Sequence, residues 1–222
     1  MKCIYCNHEK LYELKSEQLK CAKCKKKFSA KKIKTDVEII KCFCESLTIN
    51  QASKKLAINY MTVKSRYKLF RQLIANYLED EYREKIVLEY DEYIYLEKSK
   101  KKVKENIFDA QNFLTFHYES RVYNILMPNL NKYKNQFLEN GSKSIYFKEF
   151  SKFMMFNKIS KTKKRENIIT QFWLFFEKSI LKYKGVSGEN FFYYLKEIEF
   201  KFKFNYKESL QEKILINLYQ NF

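Results

Sequence analysis

Four of the chain's six cysteines stand in two pairs, Cys3-x2-Cys6 and Cys21-x2-Cys24, separated by fourteen residues. That spacing suits a four-thiolate zinc ribbon. Each knuckle turns tightly enough for both sulfurs to face one ion, and the two knuckles together complete a tetrahedron. Four protein ligands leave no open position, so the ion's role would be structural. A segment this short has too little core to fold alone, and metal binding would supply its folding energy. A pair of disulfides is the rival reading, disfavoured in a reducing compartment. His8 is a further ligand type, but the four cysteines suffice. Residues 1–34 are therefore expected to form a zinc ribbon, and a basic one, with eleven Lys against three Glu.

The second place for chemistry is Asp91-Glu92 inside the run Ile86–Leu96, which is rich in β-branched and aromatic residues. The run reads as a strand, with neighbouring side chains on opposite faces. Asp91 then shares a face with Glu89, Tyr93 and Tyr95, and Glu92 with Tyr90 and Ile94. A carboxylate in an apolar strand is costly unless a metal or a donor meets it. Two readings stand: a solvated edge strand with ordinary charges, or a catalytic strand.

The elements between these sites read as three helices over residues 35–78. Thr35 with Glu38 and Thr48 with Gln51 have capping-box spacing. The first helix is expected over about 36–46 with Val37, Ile40 and Phe43 inward, and the second over 49–56, burying Ala52 and Leu56. After the turn 57–59, a long third helix starts near Tyr60 and carries the apolar stripe Val63, Tyr67, Phe70, Ile74 and Tyr77. Thr62, Lys64, Ser65, Arg66, Lys68 and Arg71 lie off that stripe. Helix, short turn and helix with a polar-basic front edge is the helix-turn-helix pattern. A plain three-helix bundle with a solvated charged face would look the same, but the adjacent basic ribbon favours double-stranded DNA as the partner. Cys42 and Cys44, two apart on a helix, cannot face each other and read as buried thiols. Residues 79–85 read as a charged extension of the third helix that forms the linker at the domain boundary.

The whole chain allows this plan. It has 222 residues, enough for one ordinary domain and a smaller one, and 20 Phe with 18 Tyr can fill a core. Three Gly and one Pro argue for closely joined elements rather than loose linkers. The net charge of +18 suggests a polyanionic partner. Most of that charge is Lys, in a chain whose bias toward Lys, Asn, Ile, Phe and Tyr also fits an AT-rich genome. No membrane-length apolar stretch and no signal-like start occur, which leads to an expectation of a cytoplasmic, nucleoid-associated protein.

Beyond residue 96, a lysine-rich stretch at 98–104 reads as a hairpin tip or a phosphate-contact loop. Strands are expected at 107–118 and 122–127, joined by a turn at 119–120. A helix with Leu130, Tyr133, Phe137 and Leu138 closes at Gly141, a short strand follows at 144–147, and a basic run occupies 158–165. Helices are expected over 167–184, ended by Gly185, then over 191–204, capped by Ser187, and last over 207–218.

The fold class is thus α+β, and the order of elements after residue 86 is that of a ribonuclease-H-like core. With the cysteine knuckles, Asp91-Glu92, Asn167, Phe172-Trp173, Lys184-Gly185-Val186 and the stretch from Tyr194-Leu195-Lys196-Glu197 to Phe204-Asn205, the chain resembles insertion-sequence transposases of the DDE superfamily, in the group with an N-terminal zinc ribbon. The resemblance implies DNA strand cleavage and transfer by two Mg²⁺ or Mn²⁺ ions held on carboxylates, on DNA bound by the chain as a homo-oligomer. It places Asp91 at the first metal position. Lys148 stands where the second Asp is expected, with Glu149 one residue late. Asn167 matches a variant of the third position, with Glu166 beside it. The acidic set is incomplete by this reading. A repurposed zinc-ribbon and helix-turn-helix DNA-binding protein is the alternative, and an RNA-processing nuclease is a third use of the same core.

Overall fold

The computed structural model describes residues 3, 6, 8–15, 18–83, 85–97, 99–100, 106, 109–128, 167–183, 185–204 and 207–221. The chain divides into two compact units, Met1–Asp80 with Phe204–Phe222, and Glu81–Lys203. Among the described residues the class is α+β, with two three-stranded antiparallel sheets and six helices.

The first unit begins with β1 (Leu11–Glu13), β2 (Gln18–Cys21) and β3 (Lys27–Ser29), paired in sequence order. Leu19 lies opposite Phe28, and both are buried with Cys3, Cys21 and Ile33. Ile33 belongs to α1 (Ala30–Cys44), which starts directly after β3. This corrects the start expected at Thr35. The N-cap is Ser29, whose Oγ accepts from Lys32 N at 3.3 Å. Ile33 and Val37 pack into the ribbon cluster, so the helix gains apolar burial by beginning a turn and a half earlier. Glu38, expected in a capping box, instead pairs with Lys41 at 3.0 Å.

The capping box at Thr48 and Gln51 is present and opens α2 (Ile49–Leu56). The next helix, α3 (Tyr60–Tyr82), starts from Asn59, whose Oδ1 accepts from Met61 N at 2.8 Å. Val63, Tyr67, Phe70 and Ile74 of the expected stripe are buried. Phe43 of α1 packs edge-on against Tyr67 and Phe70, with centroids 5.0 and 5.7 Å away. The Tyr67 hydroxyl donates to Leu47 O at 3.1 Å, tying α3 to the loop before α2. Cys42 and Cys44 are buried thiols outside any disulfide, and burial pushes Cys42 above the usual thiol range.

The last helix, α6 (Glu208–Asn221), packs on α1. It thus belongs to the first unit, whereas the sequence reading assigns all of 86–222 to one core. Tyr219 holds it there by one hydrogen bond and one ring contact. Tyr219 donates its hydroxyl to the buried Asp36 carboxylate, and its ring meets Phe70 edge-on at 6.2 Å.

Both α1 and α2 end in the same way. Ile58 N bonds Ser53 O and Ala57 N faces Lys54 O after α2, while Leu47 N bonds Cys42 O and Ser46 N bonds Phe43 O after α1. This double closure needs a left-handed residue, usually glycine. Here Ala57 (φ 52°) and Ser46 (φ 59°) take the position. Ala57→Gly is expected to raise stability by about 0.5–1 kcal/mol, because the Cβ penalty of the left-handed region disappears. Urea melts of the two proteins measure it, and a loss of stability would contradict the closure described.

The second unit is a meander of β4 (Glu89–Tyr95), β5 (Gln111–Tyr118) and β6 (Arg121–Leu126), covered by α4 (Ile168–Ile180) and α5 (Gly188–Lys203). The three strands are those expected, each shortened or shifted at its ends. Glu119, at φ 51°, makes the turn between β5 and β6. Tyr93 and Phe113, opposite each other in the ladder, pack on Phe172, Trp173 and Phe176 of α4 and on Phe191 and Leu195 of α5. Asn167 caps α4 in a capping box with Thr170. The expected helix after Leu130, the strand at 144–147 and the basic run at 158–165 lie outside the described residues.

Candidate functional site

Cys3, Cys6, Cys21 and Cys24 converge, with all four sulfurs within 4.8 Å of one another. Cys3 Sγ lies 3.5 Å from Cys24 Sγ, and Cys6 Sγ lies 3.5 Å from Cys21 Sγ. A tetrahedron with metal–sulfur bonds of ~2.3 Å has edges of about 3.8 Å, so the four thiols fit one ion. The two knuckles are built alike. Cys3 N bonds His8 O at 2.9 Å and Cys21 N bonds Lys26 O at 3.0 Å, so each chain segment folds back after five residues. Lys25 takes φ 61° just past Cys24 to allow this. His8 contributes that carbonyl and is not among the clustered ligands.

Cys21 is the thiolate best prepared. Burial pushes its thiol up, but backbone N–H groups of Cys24 and Lys23, 3.4 and 3.3 Å from Sγ, and the Cys6 and Cys3 thiols pull it down to about 6. Nothing more than paired knuckles of this spacing is needed to find the site from sequence.

The second candidate is the outer face of α3. Thr62, Lys64, Ser65 and Lys68 are exposed there together. No Asp or Glu occurs between Glu45 and Glu79, so no local carboxylate offsets these lysines. Two of the expected members leave the face. Arg71 is buried, its guanidinium 5.8 Å from the Phe43 and Tyr67 rings. Arg66 donates from Nε to Asp36 Oδ1 at 2.6 Å. An aspartate inside a helical core needs such partners. Both arginines are therefore pieces of the fold, and the helical spacing that places them near the lysines cannot reveal this.

Asp91 is half-buried on β4, opposite Thr115, and its Oδ1 accepts from Glu92 N at 2.9 Å. Glu92, on the other face, accepts from Asn112 Nδ2. Asn167 reaches the same strand two residues away from Asp91: its Nδ2 donates to Glu89 Oε1 at 3.2 Å, while its Oδ1 accepts from Thr170 N at 2.9 Å. The amide oxygen that would ligate a metal thus caps α4. Glu149, Glu166 and Lys148 lie outside the described residues. Among the described residues, the cysteines are the only group of three or more His, Cys, Asp or Glu side chains able to share an ion.

A polar network inside the second unit escapes sequence reading. Trp173 Nε1 donates to Thr115 Oγ1 at 2.9 Å, and Thr115 donates to Asn124 Oδ1 at 2.7 Å. Asn124 donates from N and Nδ2 to Glu199 Oε2, at 3.0 and 2.8 Å. Lys196 meets the same oxygen at 3.1 Å and lies 3.4 Å from the Tyr123 ring centre. Lys196 and Glu199 are both fully buried. Nearby on α5, Glu197 accepts from Lys201 and from Tyr183. The signal was the i,i+3 and i,i+4 spacing of opposite charges, which more often marks a solvated face.

Comparison of the chain with family models, with curated proteins and with solved structures finds no match. No helix among the described residues is long and apolar enough to cross a membrane.

Proposed function

We propose that the chain is a double-stranded-DNA-binding protein of the insertion-sequence transposase type. A structural zinc ion organises the cysteine cluster, α3 enters the major groove, and residues 81–203 form part of a ribonuclease-H-like core. The observation that carries this reading is the exposed group Thr62, Lys64, Ser65 and Lys68 on the helix after the turn 57–59, in a segment without carboxylates. Lysines there suit phosphates, and the small polar residues near the helix start suit base edges. Lys64→Ala is expected to weaken binding to all duplexes and to lower the slope of log affinity against log salt by about 1. Fluorescence titrations at several salt concentrations test it, and an unchanged slope removes Lys64 from the phosphate contacts.

Strand cleavage and transfer with Mg²⁺ or Mn²⁺ at Asp91 is the catalytic part of this proposal. The described residues do not by themselves make a two-metal set: Asp91 is a single half-buried carboxylate, and Asn167 is engaged as a cap. That engagement favours a second reading, a DNA-binding regulator without catalysis. Cleavage of duplexes carrying the flanks of the chain's own gene, in Mn²⁺, separates them. A transposase gives products that vanish in Asp91→Ala. Equal cleavage by both proteins excludes Asp91, and tight binding with no cleavage by either gives the regulator.

A further inference from the structure

The start of α3 lacks available side chains of the kind that usually read bases in pairs, Gln72 and Asn76 standing in its later turns. Bidentate contacts come from Arg to guanine and from Asn or Gln to adenine. Arg66 is held on Asp36 and Arg71 is buried against Phe43 and Tyr67. Asn59 caps the helix through its Oδ1. Ser65 donates its hydroxyl to Thr62 O at 2.9 Å. What the first turns offer to a partner is Tyr60, 46 % exposed, and Met61, 63 % exposed, with Thr62, Lys64, Ser65 and, one turn on, Lys68. Met61, Lys64 and Lys68 recur at helical spacing on one side. Met61 and Thr62 sit in the first turn, where a groove-bound helix meets base edges.

An exposed thioether beside an exposed threonine methyl, flanked by lysines, is chemistry for an apolar group set among phosphates. In the major groove that group is the C5-methyl of thymine. We propose that Met61 and Thr62 read thymine methyl groups, while Lys64 and Lys68 hold the flanking phosphates. This rests on the DNA-binding reading of α3 and adds to it the feature that is read. Recognition would then be modest for each base pair and would track the placement of thymines rather than guanines.

The test uses the full chain and duplexes enriched with it from a random pool. Each duplex is also made with deoxyuridine in place of every thymidine, which keeps the pairing and removes only the methyls. Wild-type affinity is expected to fall roughly fourfold for each methyl contacted, from about 0.8 kcal/mol per buried carbon. M61A and T62S, at exposed positions, are expected to bind the thymidine duplexes more weakly and to lose most of the difference between the two forms. Equal wild-type affinity for both forms overturns the methyl reading and leaves DNA binding standing. A wild-type difference that persists undiminished in both variants overturns the assignment to Met61 and Thr62. Failure to bind any duplex at low salt overturns the DNA-binding reading, and this inference with it.

Discussion

Purified protein is expected to carry about one Zn²⁺ per chain, and Cys21→Ser or a strong chelator is expected to unfold the segment up to Ser29. The size of the effect follows from what else holds that segment. Leu19 and Phe28 are its main buried apolar side chains apart from cysteines, joined by Ile33 of α1, and are worth about 1.5–3 kcal/mol each. Ordering its backbone costs about 1–2 kcal/mol per residue, far more in total. Structural zinc binding supplies about 10–16 kcal/mol in ribbons and fingers of this size. Loss of metal should also release the first turns of α1, because Ile33 and Val37 belong to the same cluster. Metal analysis together with amide exchange over residues 8–37 measures both effects. Retained zinc and retained protection in Cys21→Ser would refute the four-thiolate site. The pH dependence has a definite sign. Cys21 is held below its unfolded value, from 9.0 to about 6, so its contribution is full above pH 9 and is lost as pH falls through 6. Acid should therefore strip the metal and unfold the ribbon together.

Glu199→Ala is expected to destabilise the second unit by about 3–5 kcal/mol, among the largest effects of any single substitution there. Lys196 would be left fully buried without its carboxylate, and Asn124 would lose the acceptor for both its backbone and side-chain N–H groups. Burial pushes the Glu199 carboxyl up, and Lys196 and the Asn124 donors pull against it. Replacing the pair together, Lys196→Met with Glu199→Leu, should recover much of the loss, since apolar replacement of a buried ion pair is often neutral or favourable. Trp173, the chain's one tryptophan, lies in this network, so its fluorescence reports unfolding of this unit. A double variant no more stable than Glu199→Ala would mean that the loss is not one of unpaired charge.

The parts of the fold legible in the sequence are those specified by local chemistry. The paired Cys-x2-Cys knuckles at this spacing do bring four thiols to one point. The Thr48–Gln51 box marks the start of α2, and the aromatic alternation in β4 and β5 marks the ladder that the meander forms. The misreadings all arise where a distant partner decides. Thr35 with Glu38 has capping spacing, yet the helix starts at Ser29 because Ile33 finds cover in the ribbon. Arg66 and Arg71 have the spacing of a basic face, yet Asp36, Phe43 and Tyr67 draw them inward. The burial of Lys196 and Glu199, on which the sequence reading is silent, likewise depends on a distant partner, Asn124 of β6. Asn167 has the position of a metal ligand and the contacts of a helix cap, and only its hydrogen bonds tell the two apart.

The return of α6 to the first unit also sets an order of synthesis. Residues 81–203 leave the ribosome after α3 and before the helix that carries Tyr219. At 5–20 residues per second that interval lasts roughly 6–25 s. Throughout it, Asp36 lacks one of its two hydrogen-bond donors and Phe70 lacks the ring that meets its edge. The nascent first unit must wait, exposed, for a piece of itself encoded last. Translation that stops anywhere within 81–203 would leave α1 without its closing helix, so a truncated message would yield a first unit with Asp36 and Phe70 only partly covered.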